Sequence, residues 1–144
     1  MLDDNFGVAP DHLLEIDIHN MREVTEAARR VTEFCRFHGQ SERMTNHIVL
    51  CVEEMASNTA EHGFAGKKDE AHCSMRLQNK GDRWVLRFRD DCKAFDPVHF
   101  VPNENVESGL GIRIVLKLAD EVRYTYSLSL NNLTILFRKA EAKS

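Results

Sequence analysis

The chain has 144 residues, 42% of them hydrophobic and 29% charged, with a formal net charge of −4. That length supports a single domain, residues 1–144, around one continuous core. The slightly acidic balance excludes a generally basic binder of nucleic acid or anionic membrane. No apolar run approaches the roughly 20 residues that cross a bilayer. The opening MLDDNFGVAPDH lacks the basic and apolar regions of a secretory signal, so a cytoplasmic protein is expected, with residues 1–11 a flexible N-terminal segment. Cys35, Cys51, Cys73 and Cys92 form no CxxC pair and suit reduced thiols better than a disulfide framework. The seven histidines show no zinc spacing.

HLLEIDI, residues 12–18, alternates near a period of two and reads as an opening strand. Asn20 followed by Glu23 resembles a helix capping box. Val24, Ala27, Ala28, Val31, Phe34 and Cys35 then recur at helical spacing until Gly39, which can stop the helix. The opposite face of this helix carries Arg22, Glu26, Arg29, Arg30 and Glu33, a mixed set that suits a solvated surface or a partner-docking one. A second helix is expected from Ser41 to Gly63, deeply buried because its centre, IVLCV, is apolar almost all round.

After FAGKKDEA, Cys73, Met75 and Leu77 alternate with polar residues, and Trp84, Leu86 and Phe88 do the same beyond Lys80-Gly81-Asp82, which predicts an antiparallel hairpin. Asp90 shares the parity of Trp84, Leu86 and Phe88. Either its carboxylate points toward the core side, where it needs partners, or the strand stops at Arg89 and Asp90 begins a turn. Residues 92–108, with two prolines and little periodicity, read as a long loop of the kind that is often functional. GLGIRIVLKLAD follows as a glycine turn leading into an apolar helix. EVRYTYSLS and LTILFRKA close the chain as two strands joined through Leu130-Asn131-Asn132. The order β-α-α-β-β-loop-α-β-β defines an α+β two-layer sandwich with three main helices on one face of a predominantly antiparallel mixed sheet.

Three segments carry candidate chemistry. Glu54, Asn58 and His62 lie four residues apart, so on a helix they form a slowly drifting row about two turns long. Asn58 can offer an amide oxygen to Mg²⁺, which takes much of its remaining coordination from water and phosphate. Glu54, one turn earlier, is placed to orient or deprotonate a nucleophile. In SGLGIRIV, Gly109 and Gly111 allow backbone to approach an anion at a helix N-terminus, although taken alone a plain tight turn is the commoner use of such glycines. Asp90 could accept a hydrogen bond from an adenine amino group, and Thr134 could hold a bridging water near the base.

EEMASNTAEHGF, RDDCKAFDP and SGLGIRIV, in this order and spacing, resemble the N-box and the two glycine boxes of the histidine-kinase-like ATPases. The superfamily includes DNA gyrase, the ninety-kilodalton heat-shock chaperones and histidine kinases. The short chain and the EHGF and AFDP signatures are most similar to the anti-sigma-factor serine/threonine kinases of bacterial partner switching. The resemblance runs from about residue 12 to residue 139.

It implies ATP and Mg²⁺ as cofactors, with Asn58 as metal ligand and Glu54 as catalytic base. Adenine recognition would fall to Asp90. Gly109, Leu110, Gly111 and Ile112 would belong to the nucleotide lid and phosphate site, and His62, Cys92, Phe95 and Thr134 to the rest of the pocket. The partners implied are a sigma factor and an anti-anti-sigma-type protein substrate, with a homodimer holding the sigma factor and neither nucleic acid nor membrane engaged directly.

Two departures weigh on this reading. Cys92 stands where the first glycine box usually has Gly, which would strain a backbone of positive φ. Residues 97–108 contain no Lys or Arg to meet a γ-phosphate, leaving Lys93 and Arg113 at the ends of the loop. The competing reading is therefore a non-catalytic ATP-binding regulatory module, or the cytosolic ATP-binding domain of a larger signalling protein.

Overall fold

The computed structural model describes residues 12–60, 72–94, 96 and 110–139. The elements run β1 (Leu13–Ile18), α1 (Met21–Phe37), α2 (Glu42–Asn58), β2 (Cys73–Asn79), β3 (Arg83–Asp90), α3 (Leu110–Leu118), β4 (Glu121–Ser127) and β5 (Leu130–Arg138). The strands form one sheet in the order β1-β2-β3-β5-β4. All four pairings are antiparallel. The α+β sandwich expected from the sequence is the observed architecture. Among the described residues, no helix is long and apolar enough to cross a membrane.

Period-two patterning sets the sheet's two faces. Ile16, Ile18, Cys73, Met75, Leu77, Trp84, Leu86, Phe88, Leu133, Ile135 and Phe137 share one face and are buried. They meet the apolar faces of the helices in a single core cluster. Helix α1 contributes Val24, Ala27, Ala28, Val31 and Cys35, as its spacing predicts, with Phe34 half-buried beside them. On its outer face Arg29 pairs with Glu26 and Glu33, so these charges are satisfied along the helix itself. Such exposed pairs add little stability.

Helix boundaries follow from local chemistry. Asn20 Oδ1 accepts from Glu23 N–H at 3.0 Å. The Glu23 carboxylate turns back to His19 N–H at 2.7 Å, one residue earlier than a standard capping box requires. At the other end Gly39, at φ 70°, lets its own N–H reach Arg36 C=O and lets Gln40 N–H reach Cys35 C=O. That double bond is a Schellman stop. Ser41 then caps α2 through Met44 N–H at 3.2 Å.

Gln40 also orients α2. Its Oε1 accepts the indole N–H of fully buried Trp84 at 2.8 Å, which ties the start of α2 to the start of β3. A helix of this length rises about 25 Å, and Trp84 to Asp90 spans about 20 Å of strand. Starting there, α2 is long enough for its C-terminal turns to reach the end of the sheet where β3 stops at Asp90. The same helix packs on α1 and α3 and shares one core cluster with the sheet, which explains the nearly all-round apolarity of IVLCV.

The closing hairpin departs from expectation. The turn falls at Leu128 and Ser129, at φ 55° and 63°, and Asn131 and Asn132 lie inside β5. Tight hairpin turns favour asparagine or glycine in that conformation, so local preference alone would place the two asparagines in the turn. Pairing with β3 decides otherwise, setting Asn131 opposite Asp90 and Leu133 opposite Phe88.

Replacing Trp84 with Ala removes a fully buried ring and the Gln40 bond, and should cost about 3–5 kcal/mol of unfolding free energy. Urea denaturation of Trp84→Ala checks this, and a loss under about 1 kcal/mol would contradict the role given to that contact.

Candidate functional site

The sheet end carrying Asp90 holds two of the candidate residues, Asp90 and Cys92. Asp90 is the last residue of β3, so the strand runs through it with the parity of Phe88 rather than stopping at Arg89, and the turn begins after it. Its Oδ1 accepts from Cys92 N–H at 3.0 Å, a local turn bond, and from Asn131 Nδ2 at 2.8 Å across the sheet. Among the described residues, Oδ2 has no such donor.

Asn131 is 7% exposed and fully engaged. Besides Asp90, its Nδ2 donates to Cys92 C=O at 3.1 Å and Lys93 C=O at 3.2 Å. Its Oδ1 accepts from the Tyr124 hydroxyl. Neither Asn131 nor Tyr124 stands out in the sequence, because the asparagine pair reads as a turn. Parity would have found Asn131 with the turn placed two residues earlier: it then falls in line with Leu133, Ile135 and Phe137 as an inward polar residue at a strand end, as Asp90 is on β3.

Cys92 is buried, 5% exposed, within the core cluster. Among the described residues, positive φ outside glycine occurs only at Leu128 and Ser129, so Cys92 carries no left-handed strain. The thiols are free and buried at all four positions. Burial pushes Cys35 and Cys51 up to about 12, the nearby Glu54 charge adding to the effect at Cys51. Burial and then the Asp90 charge raise Cys73 as well. These three groups are protonated and unreactive at neutral pH.

Glu54 and Asn58 are half-buried on the last turns of α2, one turn apart, and Glu53 beside them faces solvent. Beyond Asn58 the helix widens into a π turn at 59–60. The Glu54 carboxylate packs directly on Gly111 in the first turn of α3: a Cβ built on Gly111 would collide with Oε2 and lie 3.1 Å from Cδ. Glycine there allows a close approach of two helices with a carboxylate between them. Substitution would push that carboxylate aside.

Other expected site residues need correction or lie outside the described residues. Thr134 sits between buried Leu133 and Ile135, so alternation turns it to the sheet face away from the helices, opposite Arg87 and Arg123. It is not placed to hold a water beside Asp90; Asn131 is the β5 residue on that side. Ile112, 4% exposed, packs its side chain into the core, which leaves only its backbone for a ligand. His62, Phe95 and Gly109 lie outside the described residues, as do residues 97–108, and Leu110 is described only as the first residue of α3. Lys93 and Arg113 are both exposed.

A sheet of this order, three helices on one face, and an acid at the end of its central strand define the α+β sandwich. The family model of the histidine kinase-like ATPase domain matches residues 19–137, and the chain belongs to that family. The fold is similar to the crystal structure of the RsbU and RsbW domains of Rv1364c from Mycobacterium tuberculosis, with a TM-score of 0.59 and 16% identity over 87% of this chain and 32% of that one. It is also similar to the histidine kinase domain of the blue-light activated histidine kinase EL346 from Erythrobacter litoralis, with a TM-score of 0.55 and 18% identity over 82% of this chain and 60% of that one. The chain thus spans about a third of the first protein and three-fifths of the second. No curated protein sequence matches it.

Gly111→Ala should leave the fold intact, since alanine is about 1 kcal/mol better than glycine in a helix, while displacing the Glu54 carboxylate. Comparing thermal stability with the Glu54 carboxylate position in a crystal structure checks this. A Glu54 carboxylate still seated on residue 111 would contradict it.

Proposed function

We propose that this chain is an ATP-dependent serine/threonine protein kinase of the partner-switching type, acting as an anti-sigma factor. The observation that carries the proposal is the carboxylate of Glu54, held half-buried against Gly111 at the start of α3. Binding nucleotide needs no carboxylate there, whereas moving a proton does.

The residues present fit a nucleotide with its metal. Asp90 offers an acceptor oxygen for an adenine amino group. Beside the Glu54 contact at Gly111, the first turn of α3 would offer phosphate its backbone N–H groups and a positive dipole end. Asn58 would hold Mg²⁺ through its amide oxygen, one turn beyond Glu54, and the metal would supply charge neutralisation at the phosphates. Glu54 would accept the proton of a protein serine or threonine hydroxyl. As that oxygen bonds to the γ-phosphorus, the bond from the γ-phosphorus to the β,γ-bridging oxygen breaks, and ADP leaves with the electron pair.

Similarity to a structure containing an RsbW domain supports the partner-switching reading. Under it the chain is cytoplasmic, dimeric and able to hold a sigma factor. Its substrate is an anti-anti-sigma-type antagonist whose phosphorylation switches partners. A non-catalytic regulatory module is the second reading. Residues 97–108 contain no Lys or Arg, and that feature favours it; the ordinary backbone at Cys92 weighs against it.

The test is transfer from γ-labelled ATP to proteins of a soluble extract of the source cells, with acid-stable label scored as phosphoserine or phosphothreonine. Wild type should label a partner, and Glu54→Gln should bind ATP normally while transfer falls at least about 100-fold, the lower end of general-base catalysis. Acid-labile label, or unchanged transfer by Glu54→Gln, would contradict the proposal.

A further inference from the structure

We propose that Asn131, steadied by Tyr124, determines which purine the pocket accepts; this rests on reading the site as an ATP pocket. The orientation of the Asn131 amide is fixed from both ends. Its Nδ2 side faces three acceptors, Asp90 Oδ1, Cys92 C=O and Lys93 C=O, at 2.8 Å, 3.1 Å and 3.2 Å. Its Oδ1 side takes the Tyr124 hydroxyl. Flipping the amide would set an oxygen against three oxygens, so the network allows one arrangement.

The consequence falls on Asp90. A carboxylate with both oxygens accessible can grip two adjacent N–H donors side by side. Guanine presents such a pair, its ring N1–H and its 2-amino group. Adenine presents one amino group on that edge, beside a ring nitrogen that accepts. In this chain Oδ1 is already occupied by Cys92 N–H and Asn131 Nδ2, which leaves Oδ2 as a single acceptor. A single acceptor matches the adenine amino group and cannot form the paired contact with guanine. Asn131 is thus a specificity-determining positioning residue, acting through Asp90.

The Tyr124 hydroxyl extends the device to the edge of the sheet. It holds the amide oxygen, so its removal lets the amide rotate and loosens the hold on Asp90 Oδ1. Burial of Asn131 supports the same conclusion: a polar side chain 7% exposed would otherwise favour an apolar replacement in a β-strand.

The experiment measures dissociation constants of Mg-ATP and Mg-GTP by calorimetry on the full chain, for wild type, Asn131→Leu and Tyr124→Phe. Wild type should prefer ATP. Asn131→Leu should lower the GTP-to-ATP ratio of dissociation constants about tenfold, the size of one lost hydrogen bond to a charged group, with a smaller fall for Tyr124→Phe. A purely structural role would weaken both nucleotides equally and leave the ratio where it was. An unchanged ratio in both variants, with wild type still selecting ATP, overturns the inference while sparing the pocket. If Asn131→Leu does not fold, the ratio for Tyr124→Phe decides alone. Wild type that binds neither nucleotide overturns the pocket reading and this inference with it.

Discussion

Asp90 ends the middle strand of the sheet on its helix-covered side, a place where a carboxylate is costly unless donors meet it. Two do, the Asn131 amide across the sheet and the Cys92 N–H two residues on. That lock reaches well beyond one side chain. It fixes where β3 stops and where the chain leaves the sheet toward α3. It also fixes the register of β5, because Asn131 has to stand opposite Asp90. The unusual turn at Leu128 and Ser129 is then the conformational cost of that register, since positive φ at leucine and serine is disfavoured locally.

The second constraint is the direction of α2. Trp84 and Gln40 pin its start at one end of β3, and its length is enough for Glu54 and Asn58 to reach the other. Glycine at position 111 then lets α3 begin hard against the Glu54 carboxylate. The Asp90 carboxylate is thereby placed by β3, and the Asn58 amide and the Glu54 carboxylate by α2, the last against the first turn of α3. None of these placements depends on the sequence neighbours of the residues concerned. They depend on strand pairing, one indole hydrogen bond and one missing Cβ.

Much of the fold was legible because its elements are strongly periodic. The apolar stripe from Val24 to Cys35, the alternation through Trp84, Leu86 and Phe88, and the stops at Gly39 and Gly81 each follow from local chemistry that tertiary packing reinforces. Asp90 was legible by parity. Asn131 was missed because the sequence Leu130-Asn131-Asn132 has strong turn preference, and only pairing with β3 shows that it is strand; Thr134 was misplaced although it lies within the expected strand, where alternation with Leu133 and Ile135 turns it to the other face. Gly111 could be read as a turn or an anion cradle, but its contact with Glu54 is a property of two helices meeting, and no spacing within either segment encodes it.

The central claim is that the Asp90 end of the sheet holds the base of ATP while the end of α2 meets its metal and phosphates. Calorimetric titration with ATP, with and without Mg²⁺, of wild type beside Asp90→Asn and Asn58→Ala tests it most directly. The account predicts saturable wild-type binding that Mg²⁺ strengthens, about tenfold or greater weakening in Asp90→Asn, and loss of the Mg²⁺ increment in Asn58→Ala. Folded wild type that takes up no ATP, or variants that bind as wild type does, would contradict it.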